Sequence, residues 1–542
     1  MSWLNPRNFT AKEKAWIGIY FLVVAVLSTL PYLVFYSRTP VHQHYTWSSV
    51  FYYDDYFQYY AWARHVAAGD WLIRNYYTDN PAAQFALFNP YFLLLGWATR
   101  AFGNVYFAYH VLRIVAIGGF AWISYSFIAL FLPEVRMRRL AQVLMLGGGV
   151  EYPYFRWNLH RIPTPLADPY TFKVLYRYGH LTVGLCLLLL VFGTYADLCR
   201  GFAPNDPREE NREYSLAKPA GMLFLCSLLL GLINPYYMVL VGAVLMFHAC
   251  WLVKQRRYFS APLLMAVGAG MSIPFLHYRM QSITSNLGAI GFDDPIGPFD
   301  LLLFFAPFIP WLIVQGIVER RRSSAGSESQ ETSSPEAASL RPQVSGSSLL
   351  WIWLVVVIGL VLTPLAFRAR MVYGVQIALA IQVSALIGRS RIRSFYHWPL
   401  YALLSLEVYY TFHWESVNFS QGIGSLDRSM LSAFEELNRR AGENDVVLTW
   451  VELGAYLPAY CKAKTYLGHS FQTDDFDKKM DNARGFFRFL TNAERKNYAD
   501  QLPVKFVLLP PEERGKADAD FDIPGWTRIY NQSGYEIYAR PE

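Results

Sequence analysis

Two adjacent carboxylates, Asp54 and Asp55, stand among tyrosines and phenylalanines in FYYDDYFQYYAWARHVAAGDW, residues 51–71, just beyond an apolar run long enough to cross a membrane. Such a pair has two uses. It caps a helix, since Asp is a favoured N-cap, or it takes and orients a proton as a general base. The residue types leave both open. If the chain turns helical over about 56 to 68, Tyr59 lies one turn beyond Asp55 on the same face, where its ring covers the carboxylate or contacts a substrate, and Arg64 follows.

Cations that suit an anionic leaving group cluster elsewhere. The stretch RWNLHRIPTPLADPYTFKVLYRYGH, 156–180, holds Arg156, His160, Arg161, Asp168, Lys173, Arg177 and His180. Any one of these is accounted for as an interfacial anchor. As a group, the basic residues make a clamp for a phosphate or diphosphate, whose oxygens match arginine's planar fork. Arg368 and Arg370 sit at the outer end of an apolar run, against the usual bias of positive charge, and suit lipid headgroups or an anionic lipid-linked substrate. Arg113, inside an apolar run, belongs with them because intramembrane charges face a cavity or a partner. In YLGHSFQTDDFDKKMDNARGFF, 466–487, His469, Asp474 and Asp475 mimic a metal site, but helix capping by Thr473 and Asp474 explains most of it. A lone histidine in a surface loop is not expected to be a ligand.

The elements that must position these groups follow from composition. The chain has 542 residues, 54% hydrophobic, 17% aromatic and 16% charged, against about 25% charged in a soluble domain. The apolar excess falls in blocks of roughly 17–25 residues, the length of a membrane-spanning helix. The net charge of +7 is dispersed in short clusters between these blocks, which membrane topology explains better than a nucleic-acid partner does, and no such partner is expected. The five cysteines supply neither a disulfide framework nor zinc-ligand spacing.

The positive-inside rule predicts a cytoplasmic N-terminus and an anchor at 15–35, then spans near 105–132, 138–152, 180–198, 219–234, 235–253, 258–276, 300–318, 349–367, 371–388 and 395–412: about eleven helices. Asn234-Pro235 marks either a tight turn between two spans or a kink in one. The expected organisation is a transmembrane domain over 1–414 with a long external loop at 36–104, in which 91–98 is an interfacial helix. A disordered Ser-rich cytoplasmic linker is expected over 319–348. A small extracytoplasmic α/β domain is expected over 425–542, with strands at DVVLTWV and VKFVLLP and a hairpin turning at Ser533-Gly534.

A cytoplasmic N-terminus, one span, and a long external loop opening with an acidic pair resemble the GT-C superfamily of membrane glycosyltransferases, which includes oligosaccharyltransferases, protein mannosyltransferases and aminoarabinose transferases. The chain also resembles a bacterial branch of that type in which D-x-x-x-Y-x-x-x-x-R precedes Gly-x-Trp, matched here by Asp55, Tyr59, Arg64, Gly69 and Trp71. NPYYMV at 234–239 resembles a His-Pro-Tyr element of the branch, with Asn234 in place of the histidine, and YLGH with TDDFDKK resembles the start of its external domain.

The resemblance implies transfer of a sugar from a polyprenyl-phosphate-type carrier to a glycan, lipid or protein acceptor outside the cytoplasm of the cell membrane. It implies Asp55 as the base and Asp54 as its helper or as a ligand of a divalent cation, magnesium or manganese. One acidic pair does not decide metal dependence. Arg161, Lys173, Arg368 and Arg370, with Tyr59, Arg64 and His160, would hold the substrate and its phosphate. Two rival classes stay open: a polyprenyl-lipid transporter, which would show internal repeats and midplane charges, and a non-catalytic scaffold, in which the carboxylates are exposed and dispensable.

Overall fold

The computed structural model describes residues 2–49, 53–147, 171–201, 217–254, 260–284, 313, 344–363, 368–389, 408–409, 411–413, 415–419, 424–514 and 521–541. Five helices among them are long and apolar enough to cross a membrane: Ala11–Arg38, Val105–Phe131, Gly179–Cys199, Tyr236–Lys254 and Arg370–Gly388. Ala217–Ile233, Leu263–Tyr278 and Ser348–Leu362 are shorter apolar helices. The spans expected near 300–318 and 395–412 fall almost entirely outside the described residues. At 138–152 the helix is Val135–Leu144, whose ten residues reach roughly 15 Å, half the hydrocarbon thickness. The chain breaks at Asn234-Pro235 into the helices Ala217–Ile233 and Tyr236–Lys254, because proline cannot donate to the preceding turn.

The helix Val344–Leu362 begins inside the stretch expected to be linker. Its Leu349, Leu350 and Trp353 are fully buried, and that packing carries the helix back through Ser347 and Gly346. The rest of the linker, 319–343, lies outside the described residues.

The chain forms two compact units, neither continuous in sequence. The first comprises Met1–Thr29, Leu112–Leu276 and Phe292–His413. Two of its buried charges show the partners that burial demands: Glu13 accepts from Arg138 at 2.8 Å and from the Tyr125 hydroxyl at 3.0 Å. Arg113 donates to the Ser28 carbonyl at 3.1 Å and to the Thr29 hydroxyl at 2.9 Å. The intramembrane arginine therefore has partners on a neighbouring helix.

The second unit comprises Leu30–Val111, His277–Gly291 and Trp414–Glu542. The loop at 36–104, expected with the membrane domain, falls in this unit with 425–542. Strand β1 (Gln43–Tyr45) pairs antiparallel with β4 (Ser425–Asp427), setting Gln43 opposite Asp427, while β2 (Ile73–Arg74) and β3 (Ala86–Leu87) form a short ribbon. The remaining strands, β5 (Val446–Thr449), β6 (Lys464–Thr465), β7 (Phe506–Leu509), β8 (Thr527–Gln532) and β9 (Tyr535–Ala539), make one sheet in the order β6-β5-β7-β9-β8. It is parallel across β6, β5 and β7 and antiparallel at β9 and β8.

Both sheet faces are buried. Val446, Leu448, Val507 and Leu509 share one core with Phe486 and Phe487, and the alternate residues Val447, Phe506 and Leu508 share the other with Phe434, Leu437, Leu453 and Leu457. Successive side chains on a strand point to opposite faces, and a parallel sheet needs helices on both. The helix Arg428–Arg440 covers one face and Phe476–Arg488 the other. The expected hairpin turns at Ser533-Gly534, where both residues take positive φ, 52° and 83°, as a type I′ turn requires.

Candidate active site

The helix Tyr53–Ala68 carries Asp54 and Asp55 in its first turn, where the unsatisfied N–H groups favour negative charge. The Asp54 carboxylate accepts the Asp55 backbone N–H at 3.1 Å. The helix is set in place by its aromatic residues: Phe57 meets Tyr456 edge-on at 4.5 Å, Tyr60 meets Tyr106 at 5.0 Å, and Tyr59 stacks on Phe92 at 5.2 Å. Tyr59 thus takes part in an aromatic stack. Arg64 donates to the Ala459 carbonyl at 3.1 Å and fixes the helix to Val451–Tyr460.

Against this first turn lies a residue that sequence reasoning had set aside. His469, only 2% exposed, follows the carboxyl end of β6 and places Nε2 3.3 Å from Asp55 Oδ1. Its other ring nitrogen, Nδ1, accepts the Phe471 backbone N–H at 3.1 Å. The Tyr77 ring stands 5.5 Å away and donates its hydroxyl to the Ala455 carbonyl. Histidine here is neither solvent-exposed nor solitary, contrary to the expectation of a surface loop. The signal was unreadable because the two partners are 414 residues apart.

The electrostatics follow from burial and close charge. Desolvation raises the Asp54 pKa and the neighbouring Asp55 charge adds to it, against the opposing pull of His469. For His469, burial pulls the pKa down, but the Asp55 hydrogen bond and the charges of both carboxylates outweigh it and the net direction is upward. The Phe471 amide works against that charge, because it needs the Nδ1 lone pair. Tyr77 is driven well above the ordinary phenol range, mainly by burial and then by the two carboxylates, and stays neutral.

The loop behind His469 is fastened by a buried ion cluster. Lys479 reaches Asp79 at 2.5 Å and Asp474 at 2.7 Å, and Asp474 also accepts from Thr78 and from Asn80. The expected capping by Thr473 and Asp474 is not what forms. The N-cap of Phe476–Arg488 is Asp475, in the left-handed region and without a side-chain cap bond, and the Thr473 hydroxyl accepts the Gly468 N–H at 3.2 Å. Asp474 is drawn away from the helix end by Lys479, a full charge and a stronger partner than a backbone N–H.

No family model and no curated protein sequence matches the chain. Solved structures do. The Archaeoglobus fulgidus oligosaccharyltransferase tethered with an acceptor peptide containing the NVT sequon superposes with a TM-score of 0.53 at 12% identity, over 98% of this chain and 74% of that one. ArnT from Cupriavidus metallidurans bound to undecaprenyl phosphate superposes with a TM-score of 0.50 at 10% identity, over 98% of both chains. The chain has the GT-C fold.

That fold is one of polytopic membrane proteins, and with its apolar helices it makes this chain an integral membrane protein. The GT-C likeness spans nearly the whole chain. At these identities it speaks for the fold alone, and the residues of the site rest on their own geometry.

A divalent cation is the cofactor the acidic pair would take. Asp54, Asp55 and His469 can each offer one ligand atom, all within 4.8 Å of one another. The carboxylates fit a hard cation. His469 fits less well: the Phe471 N–H is aimed at Nδ1, a neutral ring that accepts it carries its hydrogen on Nε2, the atom that faces Asp55, and a ring N–H is not a ligand.

The remaining expected residues lie in the first unit or outside the described residues. Lys173 and Arg177, one turn apart on the helix Thr171–Arg177, are completely buried. Arg370 lies in the 3₁₀ helix Arg368–Val372 with its guanidinium 5.4 Å from the Tyr236 ring centroid. Arg368 opens that helix. His160 and Arg161 are outside the described residues.

Proposed function

We propose that this protein is a membrane glycosyltransferase that moves a hexosyl or pentosyl group from a polyprenyl-phosphate-type carrier to an acceptor, on the extracytoplasmic side of the inner membrane. Asp54 and Asp55 are its catalytic carboxylates. The observation that carries this reading is the half-buried pair in the first turn of Tyr53–Ala68, held by His469, in a chain of GT-C fold. Neighbours in fold have been solved with dolichol-phosphate and with undecaprenyl phosphate, which supports a lipid phosphate as the donor class.

In the reaction, an acceptor hydroxyl or amide attacks the anomeric carbon. The bond between that carbon and the phosphate oxygen breaks, the electron pair leaves with the phosphate, and the acceptor proton passes to Asp55. Phosphate is a good leaving group and needs cations more than an acid. Lys173 and Arg370 are the described side chains that would bind it, with Arg161 and Arg368. Asp54 would assist Asp55 at the acceptor. A magnesium or manganese ion would be held by Asp54, where it would polarise the acceptor. The N-terminus is cytoplasmic and the C-terminal domain external in this reading.

The test uses purified full-length protein in liposomes with a panel of synthetic undecaprenyl-phosphate hexoses and pentoses, with a peptide, a glycan and a lipid as acceptors. Release of undecaprenyl phosphate that depends on acceptor supports the reading. Transbilayer movement of the intact donor without release supports the transporter class instead.

A further inference from the structure

We propose that His469 is the positioning residue of Asp55: it acts as a neutral Nε2–H donor that fixes one carboxylate oxygen, so that the C-terminal domain completes the site. This rests on Asp55 being the base. The ring has two nitrogens and two neighbours that make unlike demands. The Phe471 amide, 3.1 Å from Nδ1, is a donor and requires a lone pair there. The hydrogen is then on Nε2, 3.3 Å from Asp55 Oδ1, which can only accept while ionised. With Oδ1 engaged and the Asp55 side chain 29% exposed, Oδ2 is the oxygen left to take the acceptor's proton.

The surroundings leave the ring little freedom. Gln472 and Thr473 donate their N–H groups to the His469 carbonyl at 3.1 and 2.9 Å, closing a turn. Gly468 packs on the backbone of Gly454, and a Cβ on Gly468 would stand 2.6 Å from the Gly454 carbonyl oxygen and 2.9 Å from the Tyr77 ring. The ends of the turn are tied to the external loop by Asn75, which donates to the Gln472 carbonyl at 2.8 Å, and by the Lys479 ion cluster. A hydrogen bond to a carboxylate in such a setting orients it without taking the proton, as the third member of a triad orients the second.

Two measurements decide it. In full-length protein labelled with ¹⁵N-histidine in lipid nanodiscs, the signals absent from His469→Gln identify the ring. They are expected to show an unprotonated Nδ1 and a protonated Nε2 whose resonance moves in Asp55→Asn. An Nδ1–H tautomer, or a ring indifferent to Asp55→Asn, overturns the proposal. In transfer from the active undecaprenyl-phosphate sugar, His469→Ala is expected to lower kcat roughly 10- to 100-fold, the worth of a hydrogen bond to a charged group, with the donor KM unchanged. His469→Gln, which keeps an N–H donor, restores part of it, and His469→Ala adds no loss in an Asp55→Asn background. A full additive loss, or rescue of His469→Ala by excess manganese, overturns it in favour of a structural or a ligand role. Collapse in Asp55→Asn with normal turnover in His469→Ala removes this inference alone. Normal turnover in Asp55→Asn removes the proposed function with it.

Discussion

Gly454 and Gly468 meet backbone to backbone, so that a Cβ on Gly454 would overlap the Leu467 carbonyl oxygen. One belongs to the helix Val451–Tyr460 and the other immediately precedes His469. Their contact fixes the distance between that helix and the loop bearing the histidine. Gly454→Ala forces the two apart, at about 1–3 kcal/mol for overpacking. Thermal unfolding of full-length protein should show the loss, and transfer by the protein that remains folded should fall as well. Wild-type stability in Gly454→Ala would mean that the loop yields freely.

The Lys479 cluster makes a second prediction. Lys479 is buried between two carboxylates, Asp79 and Asp474, and removing one partner of a buried pair costs about 3–5 kcal/mol. Lys479→Met should destabilise by that order and should be partly rescued by adding Asp79→Asn. The pH dependence has a definite sign. Burial raises the Asp474 pKa, but bonds from Lys479 and Thr78 outweigh it and the net direction is down. Its stabilisation is therefore present above the unfolded value near 4 and is lost as pH falls through the lower folded value. Wild type should lose stability in that acid window, and Asp474→Asn should lose less there.

A position on the β8–β9 hairpin, at the opposite edge of the sheet from β6, separates fold from function. Gly534 has φ of 83°, and a Cβ there would stand 2.8 Å from Pro511 Cβ. Gly534→Ala should cost about 1–2 kcal/mol and leave turnover per folded molecule unchanged. A fall in turnover would show that the sheet's far edge reaches the chemistry.

What sequence could and could not supply is visible in these same residues. Apolar runs marked most of the described helices, and Ser533-Gly534 marked its hairpin, because both signals are local: hydrophobic length in one case, backbone conformation in the other. The partnership of Asp55 with His469 is not local, and nothing in YLGHSF distinguishes a histidine that will be buried from one in water. Asp474 was misread for a related reason. Capping is a short-range option, and it lost to a lysine whose burial also depends on Asp79, brought in from the loop at 36–104. Val344 to Ser348 looked like linker by composition and became helix through Trp353 and Leu350, which pack in the core.

The cations of the first unit should report on the donor lipid. Arg370→Gln removes a charged hydrogen-bonding group worth about 1.5–3 kcal/mol, so binding of undecaprenyl phosphate to the protein in nanodiscs should weaken roughly tenfold or more. Lys173→Met should act in the same direction. Arg439→Gln, at an exposed pair with Glu436, should leave binding unchanged. Equal effects at Arg370 and Arg439 would point away from a phosphate site.

The central claim is that Asp55 takes the acceptor's proton, and Asp55→Asn tests it most directly. The substitution keeps the shape of the side chain and a suitable first-turn residue, but removes its affinity for a proton. With the active undecaprenyl-phosphate sugar and its acceptor, transfer should fall about 10²–10⁴-fold, the worth of general-base assistance, while undecaprenyl phosphate binding and thermal stability stay near wild type. Transfer at the wild-type rate by a folded, lipid-binding Asp55→Asn protein would contradict the account.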